Sequence, residues 1–348
     1  MTLDVQFLSS VDEVGQAAWD SLAGEQPFAS YRWYRYGEAV LANDRPIYVI
    51  LSSGERPIAR ATFWLTRHET LPIPSATLRL LVGTLLRRFP LLVCRSPLSS
   101  APGLILPEPP LRDIALETLV ECGRDLLHRH RASFLLFDYL ERNALDWPGW
   151  PARFVKVPDM SPGTELVIRW ADFESYLGQM SKKHRYNIRR NFRLMQEEGI
   201  AIERYPKALD LDTAMALHHN VNARYKSATD HWMRSALQHA DMVDSVWLAA
   251  EREGQILGCE QMLGDRGAWF VTGLGLDYGV KNVYFVLGYE DIRYAIEAGA
   301  KVLRWGTETY NVKRRLGFEL EANGNLIFAS RWAPLREAGR WVAEHSLY

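Results

Sequence analysis

The sequence predicts two related lobes, each built from helices and a β-sheet in an α+β or α/β arrangement. Its 348 residues exceed one typical domain, and two domains of about 150 to 180 residues are the natural expectation. Both halves repeat one order of elements: helices, a hairpin around a charged glycine turn, then a helix leading into an apolar strand. The turns are Ser-Gly-Glu at 53–55 and Glu-Gly-Gln at 253–255. This shared order indicates an internal duplication of architecture.

The first half predicts helices at 11–22 and 30–43, a hairpin, and a late helix–strand pair. Apolar residues recur at helical spacing in the first helix, and aromatic residues dominate the second. The strand-like runs IYVILSS and IARATFWLTR flank the break GERP, which predicts the hairpin. Residues 111–129 have the pattern of a strong helix, and SFLLFDYL that of a buried strand.

A connector separates the two halves. Residues 146–162 are dense in proline, glycine and tryptophan, a composition typical of a link rather than an element. We therefore expect lobes at 1–158 and 159–348. The second half predicts, in order, a strand TELVIRW, a helix at 173–199, a strand IAIERY, helices at 209–223 and 231–241, a hairpin of VWLAAE and ILGCEQML, a strand AWFVTGLGL, a helix at 283–298, a strand KVLRWGT, and a turn and terminal strands ending in NGNLIFASRW.

Composition limits the classes of function. The chain is 47% hydrophobic and 24% charged, with a net charge of −1, which is typical of a globular protein. A near-zero total disfavours general affinity for nucleic acid, although it permits a local anion-binding patch. DNA is therefore not an expected partner.

Cysteine usage and apolar runs indicate a cytoplasmic protein without a membrane span. Cys94, Cys122 and Cys259 stand far apart, with neither metal-ligand spacing nor an even disulfide framework, so a reducing cytoplasm is expected. The first residues carry acids and no long apolar core, unlike a signal peptide. Arginines and prolines interrupt the apolar region 71–93 too often for a span. That region is expected to form core and loop, or else a substrate tunnel or a membrane-surface contact.

The segment 173–199 stands out because it combines a regular period with a dense positive charge. Its apolar stripe predicts one helix, with Asp172 as N-cap and Gly199 as its end. No acidic residue interrupts the cations between 182 and 193, which are Lys182, Lys183, Arg185, Arg189, Arg190 and Arg193. Such a face is either a solvated surface or a docking site for phosphates or an acidic protein.

Four segments follow one another in a recognisable order: PFASYRWYRYGEAV, ILSSGERPIARATFWL, YLGQMSKKHRYNIRRNFRLMQEEGI and LGYEDIRYAIEAGAKVLRWGTETYNVKRRLGF. The most specific patterns within them are K-K-x-R-x-N-I-R-R at 182–190 and Y-x-x-K-x-x-x-G-F at 310–318. In this order they resemble the FemAB-like proteins of the GNAT acyltransferase superfamily. The resemblance implies tandem GNAT-like lobes, each a mixed, mostly antiparallel sheet flanked by helices. It places the active site in the C-terminal lobe.

The resemblance also implies acyl or aminoacyl transfer from an activated thioester or ester to an amine. Fem proteins proper use aminoacyl-tRNA and a peptidoglycan precursor, and their relatives are similar to acyl-CoA N-acyltransferases. This chain lacks an evident helical arm in its second half, and LDYGVKNVYFVL at 276–287 replaces the glycine-rich pyrophosphate loop. The donors left open are acyl-CoA, the acyl-phosphopantetheine of a carrier protein and, less favoured, aminoacyl-tRNA. Each would be a co-substrate, not a permanently bound cofactor.

Acyl transfer requires a base, donors to the developing oxyanion and a protonated leaving group. Asp277 and Glu308 follow the strands AWFVTGLGL and KVLRWGT, so each is a candidate base, with a helix cap or a loop carboxylate as the alternative. Tyr310 is a candidate proton donor to the leaving thiolate. Lys313 matches the family lysine, and its charge suits a phosphate or an oxyanion. From that match, Lys313→Ala is expected to lower turnover and leave the melting temperature nearly unchanged.

The remaining candidates concern binding. For the donor or an anion they are Lys182, Arg185, Arg189 and Arg193. For the substrate they are Arg224, Tyr225, Trp232, Tyr284 and Trp305, which combine aromatic and cationic groups. No nucleophile elbow, visible catalytic triad or metal-ligand spacing occurs, so direct attack by the amine is expected and no metal.

Three functions therefore remain open. The first is an N-acyltransferase that uses a thioester donor and an amine-bearing small molecule or peptide as acceptor. The second is a Fem-type aminoacyltransferase that depends on aminoacyl-tRNA, with the basic helix docking RNA phosphates. The third is a binding protein in which a GNAT-like fold has lost catalysis.

Overall fold

The computed structural model describes residues 3–69, 83–159, 162–225, 227, 230–307 and 309–345. Its contacts divide the chain into two compact units, which we call the first lobe (Met1–Gly163 with Leu320–Tyr348) and the second lobe (Thr164–Glu319). Each lobe contains a mixed, mostly antiparallel sheet flanked by helices, which confirms the predicted fold class.

The elements are numbered in chain order. They are β1 (Asp4–Leu8), α1 (Val11–Val14), α2 (Gln16–Ala23), α3 (Tyr31–Val40), β2 (Arg45–Ser53), β3 (Arg56–Thr66), β4 (Leu91–Cys94), β5 (Leu104–Ile105), α4 (Leu111–Arg129), β6 (Phe134–Leu140), β7 (Val155–Val157), β8 (Thr164–Val167), α5 (Phe173–Gly178), α6 (Lys182–Glu197), β9 (Ala201–Tyr205), α7 (Leu211–Tyr225), α8 (Met233–Gln238), β10 (Asp244–Arg252), β11 (Gln255–Asp265), β12 (Ala268–Leu276), α9 (Val283–Glu297), β13 (Val302–Arg304), α10 (Tyr310–Arg315), β14 (Glu319–Leu320), β15 (Asn325–Ala329) and α11 (Ala333–His345).

The sheet of the first lobe has the order β1-β2-β3-β4-β6-β15-β7, with β5 paired to β3. β4 and β6 are parallel, joined through α4, and the other neighbours are antiparallel. α4 buries Leu116, Leu119 and Leu126 in a core that also contains Val49 and Phe63. Apolar residues at helical spacing thus fix which face of α4 meets the sheet.

The sheet of the second lobe has the order β14-β8-β13-β12-β11-β10-β9. β12 and β13 pair in parallel, and α9 connects them. α9 buries Leu287, Ile292 and Ala295 on one face of the sheet. Leu217 of α7 packs with Trp247 in a separate cluster. The strand residues in these two clusters alternate along β10, as the period of a strand requires.

Both predicted hairpins are confirmed. β2 pairs with β3, and β10 with β11, each in antiparallel register. Gly54 and Gly254 have φ values of 62° and 79°, a left-handed conformation that glycine adopts at little cost. The sequence signal was therefore a local one, since a tight turn between two apolar runs needs this residue type.

The C-terminal segment lies elsewhere than expected. We predicted a second lobe running from 159 to 348, but residues from Leu320 onward belong to the first lobe. β15 is fully buried and pairs with both β6 and β7. The sequence order of the two halves could not reveal this return, because strand pairing does not depend on distance along the chain.

The segment 173–199 forms two helices instead of the predicted one. The caps at its two ends are confirmed: Asp172 accepts a hydrogen bond from the Ser175 N–H, and Gly199 has a φ of 69°. Between them, Ser181 accepts from the His184 N–H and starts α6 anew. An apolar stripe survives such a break, which is why the period alone did not show it.

Two further sequence expectations concern membranes and cysteines. None of the helices described is long and apolar enough to cross a membrane. The predicted apolar region 71–93 lies partly outside the described residues, which resume at 83. Cys94, Cys122 and Cys259 are buried and free.

Candidate active site

The sheet of the second lobe opens between β12 and β13. The two strands pair only from Ala268 opposite Val302 to Phe270 opposite Arg304. Beyond that point β12 continues to Leu276, whereas β13 ends. We call the gap between residues 271–276 and residues 305–307 the β12–β13 opening. Residues 271–276 thus extend past the last residue paired with β13, and the space beside such a strand end is a candidate position for a ligand.

Lys313 holds the chain on one side of this opening. Its side chain is only 6% exposed. The ammonium Nζ donates to the carbonyl oxygens of Trp305, Gly306 and Thr307 at 2.5, 2.9 and 2.7 Å. An ammonium group has three N–H bonds, and these acceptors use all of them. Lys313 is therefore placed as a positioning residue for residues 305–307.

Trp305 forms an aromatic wall beside the opening. Its ring stacks on Phe318, with centroids 4.4 Å apart and planes at 24°. α9 approaches the other part of the ring through Gly288, where a Cβ atom would lie 2.7 Å from the indole Cη2. Glycine is therefore required at 288 for α9 and Trp305 to pack this closely.

Two buried carboxyl groups, Glu260 of β11 and Asp291 of α9, lie beside each other, and Asp291 also lies near Trp305. They are 4% and 0% exposed. Burial raises the pKa of both groups above the ordinary values, and their interaction with each other raises the pKa of Asp291 further. The Trp305 indole N–H lies close enough to lower the pKa of Asp291, though without the alignment of a hydrogen bond.

The carboxyl pair has no compensating salt bridge in the described part of the chain. Among the described residues, neither Glu260 nor Asp291 forms a salt bridge, whereas the neighbouring Glu290 pairs with Arg204 and Arg293. Two uncompensated negative charges at close range in a dry interior cost much more than one. The Glu260–Asp291 pair therefore holds a proton near neutral pH, and it can donate this proton or accept a second one.

Three tyrosines and one arginine form a cluster, and one of these tyrosines lies near the carboxyl pair. The Arg224 guanidinium lies 4.3 Å from the ring centroid of Tyr278. A hydrogen bond with Tyr225 contributes to raising the pKa of Tyr278, after burial, which is the main cause. Burial likewise raises the pKa of Tyr284, on which the charges of Glu260, Tyr225 and Asp291 also act. Arg224, Tyr225 and Tyr284, predicted as substrate-binding residues, are thus neighbours in the fold.

The other predicted catalytic residues are placed less favourably. One carboxylate oxygen of Asp277 accepts the Gly279 N–H at 2.8 Å and so closes a turn. Tyr310 is half-buried at the first position of α10. Glu308 lies outside the described residues. Trp232 packs against the cluster that contains Leu217 and Trp247.

The predicted anion-binding arginines of α6 have partners in the protein. Arg185 donates to the carbonyl oxygens of Gly178 and Met180, which ties α6 to the end of α5. Arg189 pairs with Glu174 at 2.6 Å, and Arg193 with Glu197 at 3.6 Å. Lys182 is exposed. Arg185 is thus partly structural, while the exposed ion pairs contribute little to stability.

A cavity of about 470 Å³ lies at the start of α6, and we call it the α6 cavity. Its charged and polar lining consists mainly of basic residues and includes two glutamates: Arg169, Ser181, His184, Arg314, Arg315, Glu165 and Glu319. The N-terminus of α6 adds the positive end of a helix dipole. The cavity thus combines the features that favour a bound anion.

Sequence reasoning missed several of these residues, although signals existed. Glu260 interrupts the apolar run ILGCEQML on the side that also carries Met262, so a buried carboxyl group was predictable from alternation. Asp291 and the preceding Glu290 are both buried in a helix whose other buried residues carry no charge. Arg314 and Arg315 adjoin the Lys313 that was predicted. Arg169 gave no distinguishing signal.

As for metals, the described residues contain no group of three or more His, Cys, Asp or Glu side chains that could hold an ion.

Comparison with protein families gives one match. Residues 10–330 match the model of the FemAB-like family, described as peptidoglycan biosynthesis/recognition. No curated protein matches the sequence.

Several solved structures share the fold of the whole chain. A structure of FemX has a TM-score of 0.65 at 11% identity, and the match covers 97% of this chain and 99% of FemX. A tandem GNAT protein from the clavulanic acid biosynthesis pathway has a TM-score of 0.57 at 13% identity, covering 94% and 98%. The C-terminal domain of a putative lysylphosphatidylglycerol synthetase from Agrobacterium fabrum has a TM-score of 0.55 at 10% identity, covering 96% of each chain. At these identities the likeness shows the fold alone.

Proposed function

The chain belongs to the FemAB-like family, and on that premise we propose that it is a transferase that moves an acyl or aminoacyl group from an activated donor to an amine in the β12–β13 opening. The observation that carries this proposal is the buried, uncompensated pair Glu260–Asp291 beside Tyr284 and Trp305. An amine that attacks a carbonyl must lose a proton, and this pair supplies an acceptor for it.

The proposed reaction is a direct displacement. The amine nitrogen attacks the donor's carbonyl carbon, the bond from that carbon to sulfur or oxygen breaks, and the nitrogen loses a proton. Burial raises the pKa values of Glu260 and Asp291 towards the range in which general bases work near neutral pH. Because both groups are buried, the proton reaches them through the Tyr284 hydroxyl or a water. The leaving thiolate or alkoxide takes its proton from solvent.

For the donor, we propose a thioester carried on coenzyme A or on an acyl-carrier protein. The segment 277–282 between β12 and α9 contains a single glycine, Gly279, and enters α9 through Asn282 in a left-handed conformation. A pyrophosphate cradle is built from several close backbone N–H groups, which usually require more glycine. This feature favours the carrier protein over free acyl-CoA.

Aminoacyl-tRNA is the second candidate donor, and the surface of α6 favours it. Lys182, Lys183 and Arg190 are exposed and belong to a run without acidic residues. An RNA bound through such phosphate contacts should dissociate steeply as salt rises, whereas a small thioester should respond weakly.

The family description supports an acceptor from peptidoglycan biosynthesis, such as a precursor that carries both an amine and phosphate. We propose that its phosphate, or that of the donor, binds in the α6 cavity. Replacing Arg315 with Gln should raise the KM of that substrate about tenfold, as expected for one charge-assisted hydrogen bond. Arg189→Gln removes the same charge outside the cavity and should leave KM within about twofold. If the two substitutions change KM equally, the α6 cavity does not bind the phosphate of either substrate.

A donor screen tests the proposal. The protein is incubated with amine acceptors, peptidoglycan precursors among them, and with acyl-CoAs, acyl-carrier protein or aminoacyl-tRNA, and the acceptor's mass is then measured. We expect acylation from one donor class, and a rate about a hundredfold lower in Glu260→Gln. If no donor acylates any acceptor while a precursor still binds, a non-catalytic binding protein is the better description.

A further inference from the structure

The first lobe contains a cationic cavity of about 180 Å³, which we call the α4–α11 cavity. It lies among the last turns of α4, the chain before β7, the chain after β15 and the first turns of α11. Apolar side chains, among them Leu127 and Phe154, form part of its lining. Its five charged or titratable lining residues are all basic: Arg124, His128, Arg153, Arg331 and Arg336.

The protein compensates only part of this charge. Arg124 contacts Glu121, and Arg336 pairs with Glu337 at 3.1 Å, but neither glutamate lines the cavity. Within the described parts of the chain, no carboxylate pairs with His128, Arg153 or Arg331. Like charges gathered around an apolar floor repel one another, and a bound anion would relieve that repulsion.

Arg331 is the most constrained of these cations. Its guanidinium carbon lies 3.9 Å from the ring centroid of Trp332 and 5.8 Å from that of Phe89, so aromatic rings hold the side chain in place. Its Nε atom is buried and finds no hydrogen-bond acceptor among the described residues. A buried donor without an acceptor is unfavourable, and the residue that carries it also lines the cavity.

The position of the cavity favours an oxyanion. Ala333, the first residue of α11, lines it, so the positive end of a helix of 13 residues faces this region. Planar guanidinium groups match the oxygens of a phosphoryl group in pairs. We propose that the α4–α11 cavity is a binding site for a phosphoryl group, carried either by a small phosphate ester or by a lipid headgroup. This site involves none of the residues of the proposed transferase site.

Calorimetry with inorganic phosphate tests the site on the full-length protein. We expect saturable binding that weakens as salt rises and that falls about tenfold in Arg331→Gln and in Arg153→Gln, each of which removes one charge-assisted contact. Arg153 is exposed and has no ion-pair partner in the described structure, so its substitution should not affect folding. Arg340→Gln is the matched control, because Arg340 lies on α11 but does not line the cavity.

Vesicle binding separates the two sources of the phosphoryl group. Sedimentation with vesicles of phosphatidic acid, compared with phosphatidylcholine alone, should retain the wild type and lose Arg153→Gln if the group belongs to a lipid. Binding of free phosphate without vesicle binding assigns a soluble ester. If neither probe binds, or if Arg340→Gln weakens binding as much as Arg153→Gln, the proposal is overturned. Arg124 and His128 then only compensate the negative end of the helix dipole at the C-terminus of α4.

Discussion

Lys313 matches a family motif, and the contacts of its side chain in the structure differ from those that we expected from the sequence. The sequence led us to expect a lysine facing phosphate or an oxyanion, replaceable without loss of stability. In the structure its three N–H groups are bound to the carbonyl oxygens of Trp305, Gly306 and Thr307. It therefore acts on the site through the chain that it positions.

Replacing Lys313 with Met should destabilise the second lobe as well as lower turnover. Hydrogen bonds to a charged donor contribute about 1.5–3 kcal/mol each, and three buried carbonyl oxygens would lose them. We expect a loss of at least about 3 kcal/mol, which lowers Tm by about 2–4 °C per kcal/mol in a domain of this size. Thermal unfolding measures it. Lys182→Met, at an exposed lysine, is the control, and an unchanged Tm in Lys313→Met would restore the original expectation.

Glu260 should make stability depend on pH. In the unfolded chain its pKa is the ordinary 4.5, whereas burial raises the folded value. Stability is therefore greatest below the unfolded pKa and falls as pH rises from 4.5 towards the folded pKa. Glu260→Gln removes this titration, so its Tm should change less than that of the wild type between about pH 5 and about pH 8.

The same substitution should reduce turnover about a hundredfold, the usual effect of losing a general base. Asp277→Asn is the informative comparison, because Asp277 was the base expected from the sequence and here closes a turn. A loss of turnover in Asp277→Asn with full activity in Glu260→Gln would reverse our assignment.

At the scale of elements, close packing of α9 against the chain after β13 shapes the site. Gly288→Ala would place a Cβ atom 2.7 Å from Trp305 Cη2. Alanine favours a helix by about 1 kcal/mol over glycine, but overpacking costs about 1–3 kcal/mol, so we expect a net loss. Trp305 should also shift, which changes the KM and the tryptophan fluorescence. Gly178→Ala, where a Cβ meets nothing within 4 Å, serves as control. If Gly288→Ala is more stable than the wild type, the Trp305 side chain moves aside at little cost and our expectation is wrong.

Elements were predictable where their signals are local. Both hairpins, the long helix α4 and the caps at Asp172 and Gly199 follow from turn chemistry and periodicity, and all are present. The break at Ser181 was missed because the apolar stripe continues across it. The helical period of the apolar residues shows which face of a segment is buried, but it does not reveal that a single turn within the segment is interrupted.

At the scale of the molecule, the return of the C-terminal segment makes the first lobe depend on residues far along the chain. Deleting residues 320–348 removes β15 from between β6 and β7, together with α11. Without β15, the strands β6 and β7 lose their hydrogen-bonded partner, and the core loses the apolar side chains of β15. We expect the truncated protein to lose the cooperative unfolding of the first lobe. Calorimetry of the truncated and full chains would show it, and two intact transitions in the truncated protein would contradict the expectation.

The sequence by itself determined the architecture of each lobe, most element types and the family of this chain, because these depend on periodicity, turn residues and the order of motifs. Only the tertiary structure decided that Glu260 and Asp291 meet, that Lys313 binds carbonyl oxygens, and that β15 joins the first sheet. These features depend on residues from different elements converging in space. Desolvation and hydrogen bonding act on such neighbours, whatever their separation along the chain.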